Sequence, residues 1–459
     1  MSINMALTVA AISTPDAAGG ISIVRISGSE AFAVAQRIFR PHNPEKSPLT
    51  MQGFTCCYGK VFSADGDIDD GILTVYHAPK SYTGEDVAEI SCHGGVFVTR
   101  QVLRAALENG AHPAAAGEFT QRAFLNGKLS LTQAEAVMDT ITAGSAAAVR
   151  SAEALRDGAL FRRIHSVSDE LVRLLGEISA WTDYPEEDIE AVSEERLEAV
   201  LGGAAAALKT VLDGYDNGRI IREGVDTVIV GKPNVGKSTI MNCLAGCDRS
   251  IVTDIAGTTR DIIEETIRID DFILRLSDTA GIRETEDEIE FAGVERTRRK
   301  LETAQLVLAV FDNSVRLSDD DISIINRLKP ENTIAVINKS DREAVLERWT
   351  IDEKFTYIAE ISAIDGSGID TLKDCIAGMF STATLNLNDG IISNERQRDC
   401  CERALKSLNE AVAAAKSGIS LDAVGIVIDE AVGFLMQLTG ERVTDAVVTE
   451  VFSKFCVGK

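Results

Sequence analysis

The sequence predicts a multidomain chain of the α/β and α classes: an N-terminal α+β domain, then a helical domain interrupted by an inserted doubly wound α/β domain. Three observations carry that prediction. A chain of 459 residues exceeds the roughly 250 to 300 residues at which a single hydrophobic core stops growing. A short β-branched run ending in glycine opens a phosphate-loop pattern in mid-chain. Apolar residues spaced three and four apart, the helical period, flank that middle segment on both sides.

From Ala6 to Ala111, β-like runs at Ile21–Ile26, Gly71–Tyr76 and Val87–Ser91 alternate with glycine-rich turns and one or two helical stretches, the pattern of a compact α+β domain. Between Thr132 and about Tyr215 alanine, leucine and glutamate dominate, and Leu171, Leu174, Leu175 and Ile178 repeat at helical spacing. The period changes at Val225–Val230. Strand-like runs recur at Phe272–Leu276, Leu306–Phe311 and Thr333–Ile337, separated by helical segments, which is the alternation of a doubly wound α/β domain. Helix returns at Glu395–Ala415 and Ser420–Phe455, with Gly418 and Gly440 as helix ends. The boundaries that follow are 1–118, 119–218, 219–380 and 381–459.

Composition narrows the function classes. With 45% hydrophobic and 25% charged residues the chain is globular, and 5% aromatics favours helix over a β-sandwich. A net charge of −25 supplies no global positive field for nucleic acid or an anionic membrane, so contact with RNA has to be local or come through a partner. The nine cysteines form no paired CxxC set, which argues against a disulfide framework or a zinc site and for a reducing cytoplasm. Neither an export signal nor a membrane span is expected.

After Val225–Val230 comes Gly231-Lys232-Pro233-Asn234-Val235-Gly236-Lys237-Ser238, a full GxxxxGKS that leads into a helical run with Thr239. In such a loop the backbone N–H groups wrap phosphates, Lys237 reaches the β- and γ-phosphates, and the Ser238 hydroxyl ligates Mg2+. Asp278-Thr279-Ala280-Gly281 follows a strand, where the carboxylate can hold Mg2+ through water and the Gly281 N–H can meet the γ-phosphate. Asn338-Lys339-Ser340-Asp341 ends another strand, and Asp341 can accept the two N–H donors that guanine presents and adenine lacks. Ser362-Ala363-Ile364 offers a backbone N–H to the guanine oxygen. Between these lies Thr253-Asp254-Ile255-Ala256-Gly257-Thr258-Thr259-Arg260-Asp261, placed to carry Thr259 to Mg2+ as a switch.

Ile282 follows Gly281 where Ras-type enzymes carry a water-orienting glutamine. The acidic run Glu284, Glu286, Asp287, Glu288 and Glu290 offers substitutes, and a solvated loop is the alternative reading of such a run. No arginine finger is identifiable, so a monovalent cation held by Asn234 and carbonyls of the Thr253 loop is a candidate for charge neutralisation. The sites together read as those of a GTPase.

Three further stretches are more particular: Tyr82-Thr83-Gly84-Glu85-Asp86-Val87-Ala88-Glu89, the run from Gly117 through Glu118, Phe119, Gln121 and Arg122 to Lys128, and the terminal Phe455-Cys456-Val457-Gly458-Lys459. With the nucleotide motifs, they make the chain resemble the MnmE (TrmE) family of tRNA uridine-modifying GTPases over essentially its whole length. The resemblance implies an N-terminal folate-binding and dimerisation domain, and a helical domain interrupted by an inserted Ras-like P-loop G domain. It also implies a homodimer that joins an MnmG-type flavoprotein in a heterotetramer. Family chemistry adds a carboxymethylaminomethyl or aminomethyl group to C5 of the wobble uridine, with a tetrahydrofolate derivative as one-carbon source and GTP hydrolysis stimulated by K+. By motif, the folate residues fall on Arg25, Glu89, Lys128 and Lys459, the water-orienting residue on Glu290, and the K+ ligands on Asn234, Thr253, Ile255 and Thr258. Cys456 stays open between a small packing residue and a part in the modification. The rival reading is a ribosome-assembly GTPase, which shares the phosphate loop and the Asp-Thr-Ala-Gly motif.

Overall fold

The computed structural model describes residues 3–184, 192–247, 265–269, 272–276, 301, 303–380 and 387–459. Two compact units emerge, one of Met1–Met138, Leu155–Ala205 and Arg403–Lys459, the other of Asp139–Ala154 and Ala206–Glu402.

The first unit contains strands β1 (Val9–Ile12), β2 (Ile21–Ser27), β3 (Phe39–Pro41), β4 (Thr55–Ser63), β5 (Gly66–Tyr76), β6 (Val87–His93) and β7 (His112–Pro113), in the sheet order β3-β4-β5-β6-β2-β1-β7. Only the β1–β7 pairing is parallel. Because side chains alternate across a strand, register sorts the two faces. Val24 pairs with Ile90 and Ile90 with Leu73, and this fully buried row joins Val34, Ile38, Val102 and Ala106 from the helices Ala31–Ile38 and Val96–Glu108 in one core. One residue along, on the opposite face, Arg25 stands directly across from Glu89. The short or weakly alternating strands β1, β3, β4 and β7 escape the sequence reading.

In the helical part of this unit, Ala159–Asp183 packs against Leu421–Thr439. Leu171, Leu174 and Ile178 are buried as the helical period predicts, while Leu175 is only half-buried. The stretch read as helix from Ser420 to Phe455 is two helices, Leu421–Thr439 and Asp445–Ser453. They part at Gly440, whose φ of +93° suits glycine, and the Thr444 hydroxyl accepts from the Val447 N–H at the second start.

The second unit holds β8 (Val225–Val230), β9 (Glu265–Ile269), β10 (Phe272–Leu276), β11 (Leu306–Asp312), β12 (Thr333–Asn338) and β13 (Tyr357–Glu360), ordered β13-β12-β11-β8-β10-β9. All pairs are parallel except β9–β10. Val225, Ile229, Leu306, Leu308 and Val310 enter one core, and Val228, Val230, Val307, Ala309 and Phe311 enter another. Burial on both faces is why these strands read as unbroken apolar runs. The sequence reading missed β9, an edge strand in which only Ile267 and Ile269 are apolar and buried.

Candidate functional site

The central strand β8 delivers the chain to the loop that opens the helix Lys237–Cys247. Gly231 adopts a φ of +151°, and a Cβ there would lie 2.5 Å from the Val310 carbonyl oxygen. Gly236 has a φ of +100°, and its Cβ would meet Asn338 Nδ2 at 2.2 Å. Only glycine meets both demands, positive φ and no side chain. Asn234, at a φ of +64°, takes the left-handed conformation that asparagine tolerates.

Side chains then tie the loop's carbonyls back. Lys237 Nζ donates to the Gly231 and Lys232 oxygens, each at 2.7 Å. Lys339 Nζ donates to the Asn234 oxygen at 2.9 Å, and Asn338 Nδ2 to the Val235 oxygen at 2.8 Å. Among the described residues, the N–H groups of Lys232, Asn234, Val235 and Gly236 donate no hydrogen bond. A row of free donors at a helix N-terminus, with its carbonyls held away, is a cradle for an anion. Burial pulls the Lys237 ammonium below its ordinary pKa, because desolvation disfavours the charged form.

Asn338 has a second contact: its Oδ1 accepts from the Ala363 N–H at 3.1 Å. The Ser340 N–H donates to the Ile361 oxygen at 3.1 Å. The Asn338–Asp341 segment therefore stands beside Ser362, Ala363 and Ile364, next to the phosphate loop, with Asp341 and Ile364 exposed. Ser238 and Thr239 lie exposed at the start of the helix. The switch and γ-phosphate residues (Thr253, Asp254, Ile255, Ala256, Gly257, Thr258, Thr259, Asp278, Thr279, Ala280, Gly281) and Glu290 lie outside the described residues.

In the first unit a second cluster assembles from three distant parts of the chain. Arg25 Nε donates to Glu89 Oε1 at 2.8 Å, and its guanidinium lies 5.3 Å from the ring centres of Tyr82 and Phe119. The C-terminal residues are pinned to this site: the Gly117 N–H donates to the Cys456 oxygen, the Phe119 N–H to the Lys459 oxygen and Ser13 Oγ to the Gly458 oxygen. Gly458, at a φ of +97°, passes so close to β1 that a Cβ would stand 2.0 Å from the Ile12 oxygen. Burial, and after it the Arg25 charge, hold the Lys459 ammonium below the usual lysine range against the opposing pull of Glu89. Arg25, Glu89 and Lys459 thus converge. Lys128 lies apart from them among the described contacts, its Nζ donating to the Pro79 oxygen at 3.0 Å.

Sequence reasoning left several participants unnamed. Burial, followed by the adjacent Glu89, pushes the Tyr76 hydroxyl pKa up, which places Tyr76 at the same cluster. Arg122, with a fully buried side chain, bridges Glu85 and Glu118, so part of the Tyr82–Glu89 and Gly117–Lys128 motifs is structural. No spacing in the sequence signals this pairing, because both the burial of Arg122 and its approach to Glu85 belong to the fold.

The second unit, with its parallel sheet, its anion cradle after β8 and the Asn338–Asp341 segment beside it, defines a P-loop GTPase. Comparison with known proteins makes that more particular. Residues 8–128 match the family described as GTP-binding protein TrmE N-terminus, and residues 131–456 match the MnmE helical domain. A protein of Acetivibrio thermocellus named tRNA modification GTPase MnmE is 41% identical over 460 residues, covering 98% of this chain and 99% of that relative. One of the same name from Clostridioides difficile is 39% identical over 455 residues, with 98% and 99% coverage. Among solved structures, Aquifex aeolicus Era bound to GDP and aluminium fluoride is 30% identical over 40% of this chain and 66% of its own, with a TM-score of 0.27. The chain belongs to the MnmE family of tRNA modification GTPases, and it is a GTPase that binds GTP.

Proposed function

We propose that this chain is the GTP-hydrolysing subunit of a tRNA-modifying complex that adds a carboxymethylaminomethyl or aminomethyl group to C5 of the wobble uridine. A tetrahydrofolate derivative, in 5-formyl or methylene form, supplies the one-carbon unit, and an MnmG-type flavoprotein is the partner in a heterotetramer built on a homodimer in the cytoplasm. The observation that carries this reading is the convergence of Arg25, Glu89 and Lys459 beside Tyr82 and Phe119. The Arg25 and Lys459 cations suit an anionic glutamyl tail, while the Glu89 carboxylate suits pterin N–H donors and the rings suit a planar ligand. Lys128 enters the folate set by the family resemblance alone, since it lies apart from that cluster with its Nζ donating to the Pro79 oxygen.

In the second unit the chain's own residues bind and orient GTP. The loop N–H groups and Lys237 hold the phosphates; Asp341 and the Ser362–Ile364 segment read guanine. Ser238 and Thr239 are exposed hydroxyls suited to the phosphate and Mg2+ side, and Ser238 with Thr259 would hold Mg2+, which neutralises charge on the β- and γ-oxygens. Asn234 fits a K+ ligand because its carbonyl is occupied by Lys339 while its exposed side-chain amide has no partner among the described residues; Thr253, Ile255 and Thr258 complete that set, and Glu290 orients the water. The domains run 1–118, 119–218, 219–380 and 381–459, and the acidic chain meets tRNA mostly through the complex.

The test is mass spectrometry of wobble uridines in tRNA from cells lacking this protein, complemented with wild type, Lys237→Ala or Arg25→Ala. Loss of the modified uridine, restored only by wild type, supports the reading. Persistence of the modification without the protein overturns it and assigns the GTPase to ribosome assembly.

A further inference from the structure

Among the described residues of the second unit, two non-glycine residues have left-handed backbone, Asn234 and Lys339, both at a φ of +64°, and they touch each other. Lys339 Nζ donates to the Asn234 carbonyl at 2.9 Å, which links the phosphate loop to the segment beside the base-reading site. A lysine ammonium needs more than one acceptor to stay in place. Its other one is Asp312, the last residue of β11, whose Oδ2 accepts from Lys339 Nζ at 2.5 Å. The pair is well buried, with side-chain exposures of 18% for Lys339 and 10% for Asp312.

Asp312 is fixed in turn. Its Oδ1 accepts from the Ser314 N–H at 2.9 Å and from Ser314 Oγ at 2.7 Å, and β11 pairs with β12 so that Asp312 stands opposite Asn338. The Asn313 N–H donates to the Asn338 oxygen at 2.9 Å. One carboxylate oxygen therefore locks the turn after β11, and the other holds Lys339.

We infer that Asp312 is a positioning residue for nucleotide binding: it holds Lys339 so that the Asn234 carbonyl stays turned out of the phosphate loop and the loop's N–H groups stay turned in. The inference deepens the GTPase site and does not depend on the tRNA reading. Hydrogen bonds to Lys339, Ser314 and its backbone, together with the lysine charge, outweigh burial and hold the Asp312 carboxyl below its ordinary range, so the charged form is the one in place at neutral pH. Asp312 holds Lys339 and Ser314, and its effect on the nucleotide passes through Lys339.

The experiment uses the full chain and the isosteric variant Asp312→Asn, which keeps an acceptor for Ser314 and removes the charge from Lys339. GDP affinity and steady-state GTP hydrolysis are measured for wild type, Asp312→Asn, Lys339→Ala and the double variant, with thermal melting of each nucleotide-free protein. Asp312→Asn is expected to weaken GDP binding and raise KM for GTP about tenfold, the scale of one charge-assisted hydrogen bond, with kcat at saturating GTP little changed. In the Lys339→Ala background the same change should have no further effect, because the group through which it acts is gone. Unchanged affinity in Asp312→Asn, or losses that multiply in the double variant, overturns the inference. Should Asp312→Asn fail to fold, Asp312→Glu, which keeps the charge but moves it by one methylene, enters the same cycle with the same criteria.

Discussion

Replacing Asn338 with alanine tests the geometry of the nucleotide site most directly. The residue is 2% exposed, and its amide serves two backbone groups, the Val235 carbonyl at 2.8 Å and the Ala363 N–H at 3.1 Å. Each buried polar group left without a partner costs about 1–3 kcal/mol, so the two together cost about 2–6 kcal/mol, with water reaching the emptied position holding the loss to the lower end. Since a folded domain carries about 5–15 kcal/mol in all, the second unit should melt at clearly lower denaturant. Its tryptophan is Trp349, and the chain's other one, Trp181, lies in the first unit. In a Trp181→Phe background, Trp349 fluorescence during urea unfolding therefore reports the second unit alone. Asn338→Asp is the control: one oxygen still accepts from Ala363, but the other faces the Val235 carbonyl as oxygen to oxygen, so it should bind GDP little better than the alanine variant. The bracing argument fails if Asn338→Ala leaves both the urea midpoint and GDP affinity at wild-type values.

Two more outcomes follow from buried charge. Arg122→Met leaves the Glu85 and Glu118 carboxylates, 13% and 7% exposed, without their shared cation; the first unit should lose about 3–5 kcal/mol at neutral pH, as read from urea unfolding by Trp181 in a Trp349→Phe background. For Lys459 the charge is itself the burden. Its folded pKa lies below the ordinary 10.5, so the charged form is the disfavoured one in the folded state, and the handicap is full below the folded pKa and vanishes as pH rises toward 10.5. Lys459→Met should accordingly be the more stable protein at neutral pH, with the gap closing toward pH 10, in paired urea titrations. A gap that widens with pH would sink the argument that a charge is kept at this site at a cost to stability.

Most of the second unit was legible because local chemistry and tertiary role coincide there. Strands buried on both faces, such as β8, β11 and β12, announce themselves as apolar runs, and the phosphate loop must have Gly231, Gly236 and Lys237 at fixed spacing whatever surrounds it. The edge strand β9 and the short strands β1, β3 and β7 were not legible, since edges and brief pairings impose little pattern. The order of the motifs along the chain, the helical flanks and the family resemblance are properties of the sequence itself.

What the fold alone decided is which distant residues share a site. Nothing in the spacing of Arg25, Glu89 and Lys459 says that they meet; that follows from the β2–β6 register and from Gly458, whose missing side chain lets the C-terminal residues pass against β1. Arg122 is one motif residue among several until its helix brings it between Glu85 and Glu118. Asp312 looks like any polar residue ending a strand until β11 lies beside β12 and puts its carboxylate under Lys339. Sequence patterns record what each segment needs locally, whereas charge pairs and ligand clusters depend on distances across the fold, which strand register and packing set.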